Sequence, residues 1–484
     1  MSGFVLAADL GGSSWRAALL DAAARPVAQR ALPALQGSAP EIAPEAWWRG
    51  FLALAEGLAA EDPRAFRATS AVAVTALTRA PVFLDAAGEV LAPAPLPQDP
   101  RAEAVLPALL SRLPEGDPER ARVNAFHPLA RLVRFAAERP EAARRLAAVL
   151  DPKDFLNLRL TGRAASDPIS SARLLASRTL LSAAGFHPSI LPALCDPVSV
   201  MGRVRPGLPG ALSALAGVPV VAMASDSWAA VLGLGALRPG FGYIVSGTTE
   251  VAGLISARPA SAEGLIGLPW GEGLHQLGGP SQAGGDTLAW LRALLRCPPE
   301  EEEERLLAEP PHPEPLLFLP HLMGERAPYW DAGLRGAFLG LSRAHGAADL
   351  LRAAVESLGF LNRLVIERAE AAAGLAAQEL RLGGGGARSA AALRIRAEAL
   401  GRPLALPAAE EPGLTGAAIA AWTALGRFPS LAEAQAALSP PARILRPERD
   451  RSALFALWRR AAEAVAPLSR ALSAPGLAGA GARA

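Results

Sequence analysis

The sequence predicts an α/β protein of two lobes, and three observations carry that expectation. The chain has 484 residues, more than the roughly 250 to 300 over which one core keeps growing, so two domains are expected. Apolar runs of strand length alternate along it with segments of helical periodicity. Two of these runs lead into glycine-rich turns: Phe4-Val-Leu-Ala-Ala-Asp9-Leu-Gly11-Gly12-Ser13-Ser14 and Tyr243-Ile-Val-Ser-Gly247-Thr248-Thr249-Glu250. Apolar residues make up 51% of the chain, mostly Ala and Leu, which favours ample helix and a large core.

In chain order, the first lobe reads as a strand, the glycine turn, a strand over 16–20 and a helix over 47–59. Strands follow over 71–75 and 82–84, joined through Thr78-Arg79, and a Pro-rich passage carries Gln98-Asp99-Pro100-Arg101. Helical patterning spans 118–160. A short apolar run over 218–222 reads as a buried strand, and 228–237 as a helix, which puts Asp226 between the two. The second lobe starts near Tyr243. Gly284-Gly285 opens a helix, and Leu351, Val355, Leu358, Leu361 and Val365 mark the buried stripe of another over 349–373. A strand over 379–382 then runs into Gly383-Gly384-Gly385-Gly386-Ala387-Arg388-Ser389 and a further helix. The expected division is 1–242, 243–469 and a disordered Ala/Gly-rich tail over 470–484.

Composition removes several classes of function. A net charge of +2, with Arg spread among Asp and Glu, carries no nucleic-acid footprint. Cys195 and Cys297 lack the spacing of a zinc or redox pair, and the six His form no pair at metal-ligand spacing in sequence. The most apolar stretch, 218–237, is broken by Ser225-Asp226-Ser227, and no basic segment precedes an apolar one at the start. A cytoplasmic protein with no membrane partner is expected. A homodimer is compatible with the sequence and not specified by it. Lys153 is the only lysine and has no glycine run before it, which excludes a P-loop and a protein-kinase site. Whether it makes a local structural contact or persists by chance stays open.

The chemistry suggested by the turns is phosphate binding. A strand entering a glycine turn exposes backbone N–H groups with no bulky side chain in the way, and neighbouring hydroxyls add donors. Either turn alone reads equally as an ordinary hairpin; two at equivalent places suggest lobes that grip a nucleotide. The glycine run after residue 382 lets a planar base lie against bare backbone. Asp226, just before a helix, is either a cap alone or an ionised carboxylate with work to do.

These motifs resemble the FGGY family of carbohydrate kinases nearly end to end. The most specific stretch is Leu319-Pro-His-Leu-Met-Gly324-Glu325-Arg326-Ala-Pro328-Tyr-Trp330-Asp331, continuing through Gly336 to Glu356. The resemblance implies the two-lobed actin-like ATPase fold (ribonuclease H-like), with a nucleotide cleft between the lobes, and a requirement for ATP and Mg²⁺. It implies phosphate and nucleotide binding by Gly11, Gly12, Ser13, Gly247, Thr248, Thr249, Gly285, Gly384, Gly385, Gly386 and Ser389. It places Asp9 at the metal and makes Asp226 the catalytic base. The acceptor would be read by Thr78, Arg79, Asp99, Asp226 and Ser227. Departures lie mainly there. Thr75-Ala-Leu-Thr78-Arg79-Ala80 stands where xylulokinases read Ser-Gly-Gln-Met-His-Gly, the Trp before Gln98-Asp99 is lost, and Ser227 replaces Asn. An ion pair between Arg79 and Asp99 is expected; pairing of Arg79 with an acidic sugar or second phosphate is the alternative. The implied function is ATP-dependent phosphorylation of a small ketose or polyol, xylulose-like. A non-catalytic sensor derived from such a kinase is the alternative, and the 336–356 signature disfavours a chaperone- or actin-like ATPase.

Overall fold

The computed structural model describes residues 3–34, 40–296, 300–386 and 388–473. Cys297, Ala387 and the expected tail from 474 onward lie outside them. Helix Ser452–Ser473 occupies the start of that tail. Contacts divide the chain into two compact units, Met1–Gly233 with Gly413–Leu438, and Leu234–Pro412 with Ser439–Ala484.

The first unit is built on a six-stranded sheet. Strand Phe4–Leu10 is central, antiparallel to Ser14–Leu20 and parallel to Thr69–Ala76. Pro26–Pro33 extends one side; Pro219–Val221 and then Val200–Arg203 extend the other. Val5 through Ala8 have no exposed surface, as a strand covered on both faces requires. Helix Pro44–Glu61 starts on a proline, whose fixed φ suits the first turn. It buries Trp47, Phe51, Leu54 and Leu58 in the same core cluster as Leu6, Trp15, Val72 and Val74 of the sheet.

The second unit repeats the plan. Phe241–Ser246 is antiparallel to Glu250–Ser256 and parallel to Glu379–Gly383, which is parallel to Leu404–Pro407. Antiparallel strands complete both sides, Pro441–Leu445 on one and His275–Pro280 with Ile266–Pro269 on the other. Each glycine-rich turn therefore joins the central strand of its sheet to the same neighbour. Helix Ala347–Ala373 buries all five residues of the predicted stripe.

Three elements differ from expectation. The 118–160 stretch contains helices Pro128–Glu138 and Pro152–Thr161, but between them Ala148–Leu150 is a strand paired with Val82–Leu84. Three apolar residues carry no periodicity that separates strand from helix. The helix expected over 228–237 is Asp226–Gly233; Leu234 already belongs to the second unit. Helices Pro412–Ala424 and Leu431–Leu438 return to the first unit, a contact between segments far apart in sequence. There Gly416 meets helix Asp226–Gly233 backbone to backbone: a Cβ on it would lie 1.8 Å from the Ala229 carbonyl oxygen. No helix among the described residues is long and apolar enough to cross a membrane.

Gly416→Val should therefore destabilise the protein by about 3 kcal/mol, the upper end of an overpacked core, read as a lower urea midpoint. A midpoint equal to wild type would show that the crossing is loose.

Candidate active site

In the first unit, Asp226 is placed by bonds to the loop before it. Asn157 Nδ2 donates to the Ala222 carbonyl at 3.1 Å and Thr75 Oγ1 to that of Ala224 at 3.0 Å. Ser225 Oγ accepts the Trp228 amide at 3.3 Å, so the cap position is filled by Ser225. Asp226 Oδ1 accepts the Ser227 amide at 2.7 Å and the Ser227 hydroxyl at 3.2 Å. Oδ2 has no hydrogen-bond partner among the described residues. Burial pushes this carboxyl above the ordinary carboxylate range, opposed by the two Ser227 donors and by the Arg79 charge. A carboxylate with one oxygen fixed, the other open and a raised proton affinity is equipped to take a proton from a hydroxyl.

Arg79 follows strand Thr69–Ala76, beside the half-buried Thr78, at φ +64, a conformation few residues other than glycine adopt. Its carbonyl accepts from Arg131 Nη1, and the Asp151 charge acts on its side chain. Asp151 is half-buried, and desolvation, reinforced by Asp154, pushes its carboxyl up to about 8. The next turn explains the lone lysine. Lys153 is buried between Asp154 and Asp167, 2.8 Å from the latter, and the two carboxylates raise its proton affinity. One helix, Pro152–Thr161, thus carries Asn157 to the loop before Asp226 and begins just after Asp151, whose charge acts on Arg79.

The expected ion pair between Arg79 and Asp99 is absent. Asp99 accepts from Arg101 Nε at 2.9 Å, Arg101 Nη2 at 2.8 Å and Arg134 Nη1 at 2.8 Å. These donors outweigh its burial and hold it at about 2. Asp99 therefore stabilises the loop from Leu96 to Arg101, whose carbonyls also receive Arg131. The Asp-Pro-Arg spacing favours the close pair with Arg101; Arg134, on a helix 35 residues on, carries no local signal.

Asp9 closes strand Phe4–Leu10, opposite Arg16 on one side and Thr75 on the other. Its carboxylate lies against the first turn of helix Pro412–Ala424, close enough that a Cβ on Gly413 would sit 2.3 Å from Oδ2. Backbone N–H groups at a helix start favour an ionised carboxylate. The turn Gly11-Gly12-Ser13 is a tight hairpin with Gly12 and Ser13 exposed, and a Cβ on Gly12 would touch nothing.

In the second unit the remaining predicted residues converge. The Gly285 amide donates to the Gly247 carbonyl at 2.9 Å and the Asp286 amide to that of Thr248 at 3.1 Å, seating helix Gly285–Leu295 on the turn. The Gly386 amide donates to the Ser246 carbonyl at 3.2 Å. A Cβ on Gly384, at φ +108, would lie 2.4 Å from that same oxygen, whereas one on Gly385 would meet nothing. Leu382, Gly383, Gly384, Arg388, Leu406 and Pro407 line a concavity beside the loop. Ser389 serves as an N-cap, accepting the Ala392 amide at 3.0 Å and donating to Glu304.

Sequence reasoning passed over what holds this turn. Glu250, quoted only as its last residue, is buried and accepts from Ser246 Oγ at 2.6 Å, Asn362 Nδ2 at 2.6 Å and both Arg396 Nη atoms, with Nη2 at 2.7 Å. An acidic residue inside an apolar strand was the available signal. Elsewhere, His312, Glu314 and His345 come within 4.8 Å of one another, an approach their sequence spacing hides. Both His345 ring nitrogens and His312 Nδ1 are engaged in bonds within these loops.

Residues 4–233 match the N-terminal domain, and residues 242–425 the C-terminal domain, of the FGGY family of carbohydrate kinases. Glycerol kinase from Thermus brockianus is 34% identical over 315 residues, 62% of either protein, so the chain spans about three fifths of that relative's length. Xylulose kinase from Escherichia coli is 29% identical over 72% of this chain and 73% of its own. Among solved structures, xylulose kinase from Rhodospirillum rubrum aligns with a TM-score of 0.82 at 25% identity, over 96% of this chain and 99% of that one.

Arg396→Leu should cost about 3–5 kcal/mol by leaving Glu250 buried without its cation, measured as a lowered denaturant midpoint. A loss below 1 kcal/mol would contradict the anchoring role.

Proposed function

Because the chain belongs to the FGGY family of carbohydrate kinases, we propose that it transfers the γ-phosphate of ATP to a hydroxyl of a small ketose or polyol, xylulose-like in length. The observation that carries this reading is Asp226, held through Oδ1 and open at Oδ2. Relatives that phosphorylate glycerol and xylulose, by their names, support an acceptor of that size.

The groups required by ATP fit the residues present. Gly247, Thr248 and Thr249 offer a rigid turn to phosphate oxygens, with Gly285 and Gly384 pressed against it where any side chain would intrude. The turn Gly11-Gly12-Ser13, with Gly12 and Ser13 exposed, offers the same chemistry from the first unit. The concavity beside Gly384 and Arg388 suits a planar base. Asp9 offers the hard carboxylate oxygen that Mg²⁺ takes, and the ion would neutralise phosphate charge when bound.

Asp226 Oδ2 takes the acceptor's hydroxyl proton as that oxygen forms its bond to the γ-phosphorus and the bond to the ADP oxygen breaks. Ser227, in place of Asn, fixes the other oxygen of the base, which orients Oδ2 without consuming it.

Asp226→Asn is expected to lower kcat by about 10²–10⁴-fold with ATP affinity unchanged, followed by coupled ADP release and calorimetry. Activity should also fall on the acid side with an apparent pKa above the ordinary 3.8. Removing a donor to the ionised form moves that limb further up, so Ser227→Ala should shift it to higher pH. A limb that stays in place, or an Asp226→Asn enzyme within threefold of wild type, would assign proton removal to another group.

A further inference from the structure

One guanidinium in the first unit is set by its own backbone and makes no ion pair with a described residue. The Arg79 carbonyl is held by Arg131, and the residue takes a left-handed conformation. Its side chain is accessible to solvent, yet it makes no hydrogen bond or ion pair with any described residue. The carboxylate that sequence offers it, Asp99, is fully engaged by Arg101 and Arg134.

The charges facing Arg79 sharpen the point. Two carboxyls act on it, Asp226 and Asp151. The Asp151 carboxyl holds its proton near neutrality, and Asp226 is the group assigned to the acceptor hydroxyl. A second cation, Arg173, also acts on Arg79. It leans on Glu119 at 3.3 and 3.4 Å, a carboxylate already shared with Arg122 at 3.2 Å and His127 at 3.0 Å. Arg131, behind the Arg79 carbonyl, is bonded only to carbonyl oxygens. Arg79 thus stands exposed beside a second cation and without an ion-paired carboxylate among the described residues, a guanidinium open to an incoming anion.

We propose that Arg79 binds a carboxylate carried by the acceptor, so that the substrate is a short polyol chain ending in an acid group. This rests on the kinase reading for the fate of the other end of the molecule. A planar guanidinium presents paired N–H donors that match a carboxylate edge to edge. A phosphate at this position would bring a second negative charge toward Asp226 and the transferring phosphoryl group, with one unpaired cation to meet it.

The test is binding first and turnover second. D-xylonate and D-gluconate are compared with D-xylulose, glycerol and glycerol 3-phosphate by calorimetry on Asp226→Asn protein, then by ADP release on wild type. One of the acids should bind, and adding Arg79→Gln should weaken it about 10–100-fold. Arg79→Lys, which keeps the charge, should restore part of the affinity, as a purely structural role would not. In turnover the loss should fall on KM more than on kcat. Binding of D-xylulose or glycerol with neither acid bound overturns the proposal, as does binding of none of the five. Arg79-dependent binding of glycerol 3-phosphate alone overturns the carboxylate assignment. Acids that bind through Arg79 but are never phosphorylated would uphold this inference and overturn the kinase reading. Phosphorylation of neutral sugars alone, indifferent to Arg79→Gln, would do the reverse.

Discussion

A phosphate held by backbone amides needs a turn stripped of side chains and prevented from moving, and those demands oppose each other. Glycine clears the approach but leaves the chain free to take many conformations. In the second unit the turn proposed to hold phosphate resolves the conflict from below. Glu250, one residue past Thr249, ties the strand to Ser246, to Asn362 of the long helix and to Arg396 of the helix after the glycine loop. Gly384 and Gly386 are then packed onto Ser246, and Gly285 onto Gly247. The flexible residues are rigid because a buried ion pair sits beneath them.

The first unit applies the same logic to a carboxylate. As the proposed base, Asp226 must stay accessible, and its position is set by neighbours rather than by enclosure. Asn157 and Thr75 fix the loop before it, and Ser227 fixes one of its oxygens. Helix Pro152–Thr161 holds this loop through Asn157 and begins just after Asp151, whose charge acts on Arg79. Lys153, at the start of that helix, pairs with two buried acids, which is a structural reason for a lysine in a chain otherwise built with arginine. An ammonium on a flexible stem reaches between two carboxylates where a planar guanidinium demands more room.

Much of this was legible in sequence because it is local. Strand, glycine turn and strand at residues 4–20 and 241–256 are contiguous, and apolar spacing marked the stripe of helix Ala347–Ala373. The place of Asp226 between a buried run and a helix was local too, but position left open a cap or a working carboxylate, and only the family resemblance pointed to a base. What stayed hidden is non-local. Glu250 and Arg396 are 146 residues apart, and Asp99 chose Arg134, on a distant helix, together with Arg101. Arg79 and Asp99 are both charged and close in sequence, so the ion pair was the reasonable expectation. Competition among three arginines decided otherwise, and no spacing rule records such a competition. The return of helix Pro412–Ala424 to the first unit, where Gly413 meets Asp9, is hidden for the same reason.

The central claim is that the two glycine turns and Asp226 serve phosphoryl transfer to a small hydroxylated acceptor. Single-turnover reaction with ATP labelled in its γ-phosphate, run with and without a mixture of polyols, ketoses and aldonic acids, follows the phosphate itself. The account predicts label on one small-molecule acceptor, in proportion to ADP formed and absent from the protein. Label released only as inorganic phosphate, at a rate unaffected by the mixture, would contradict it.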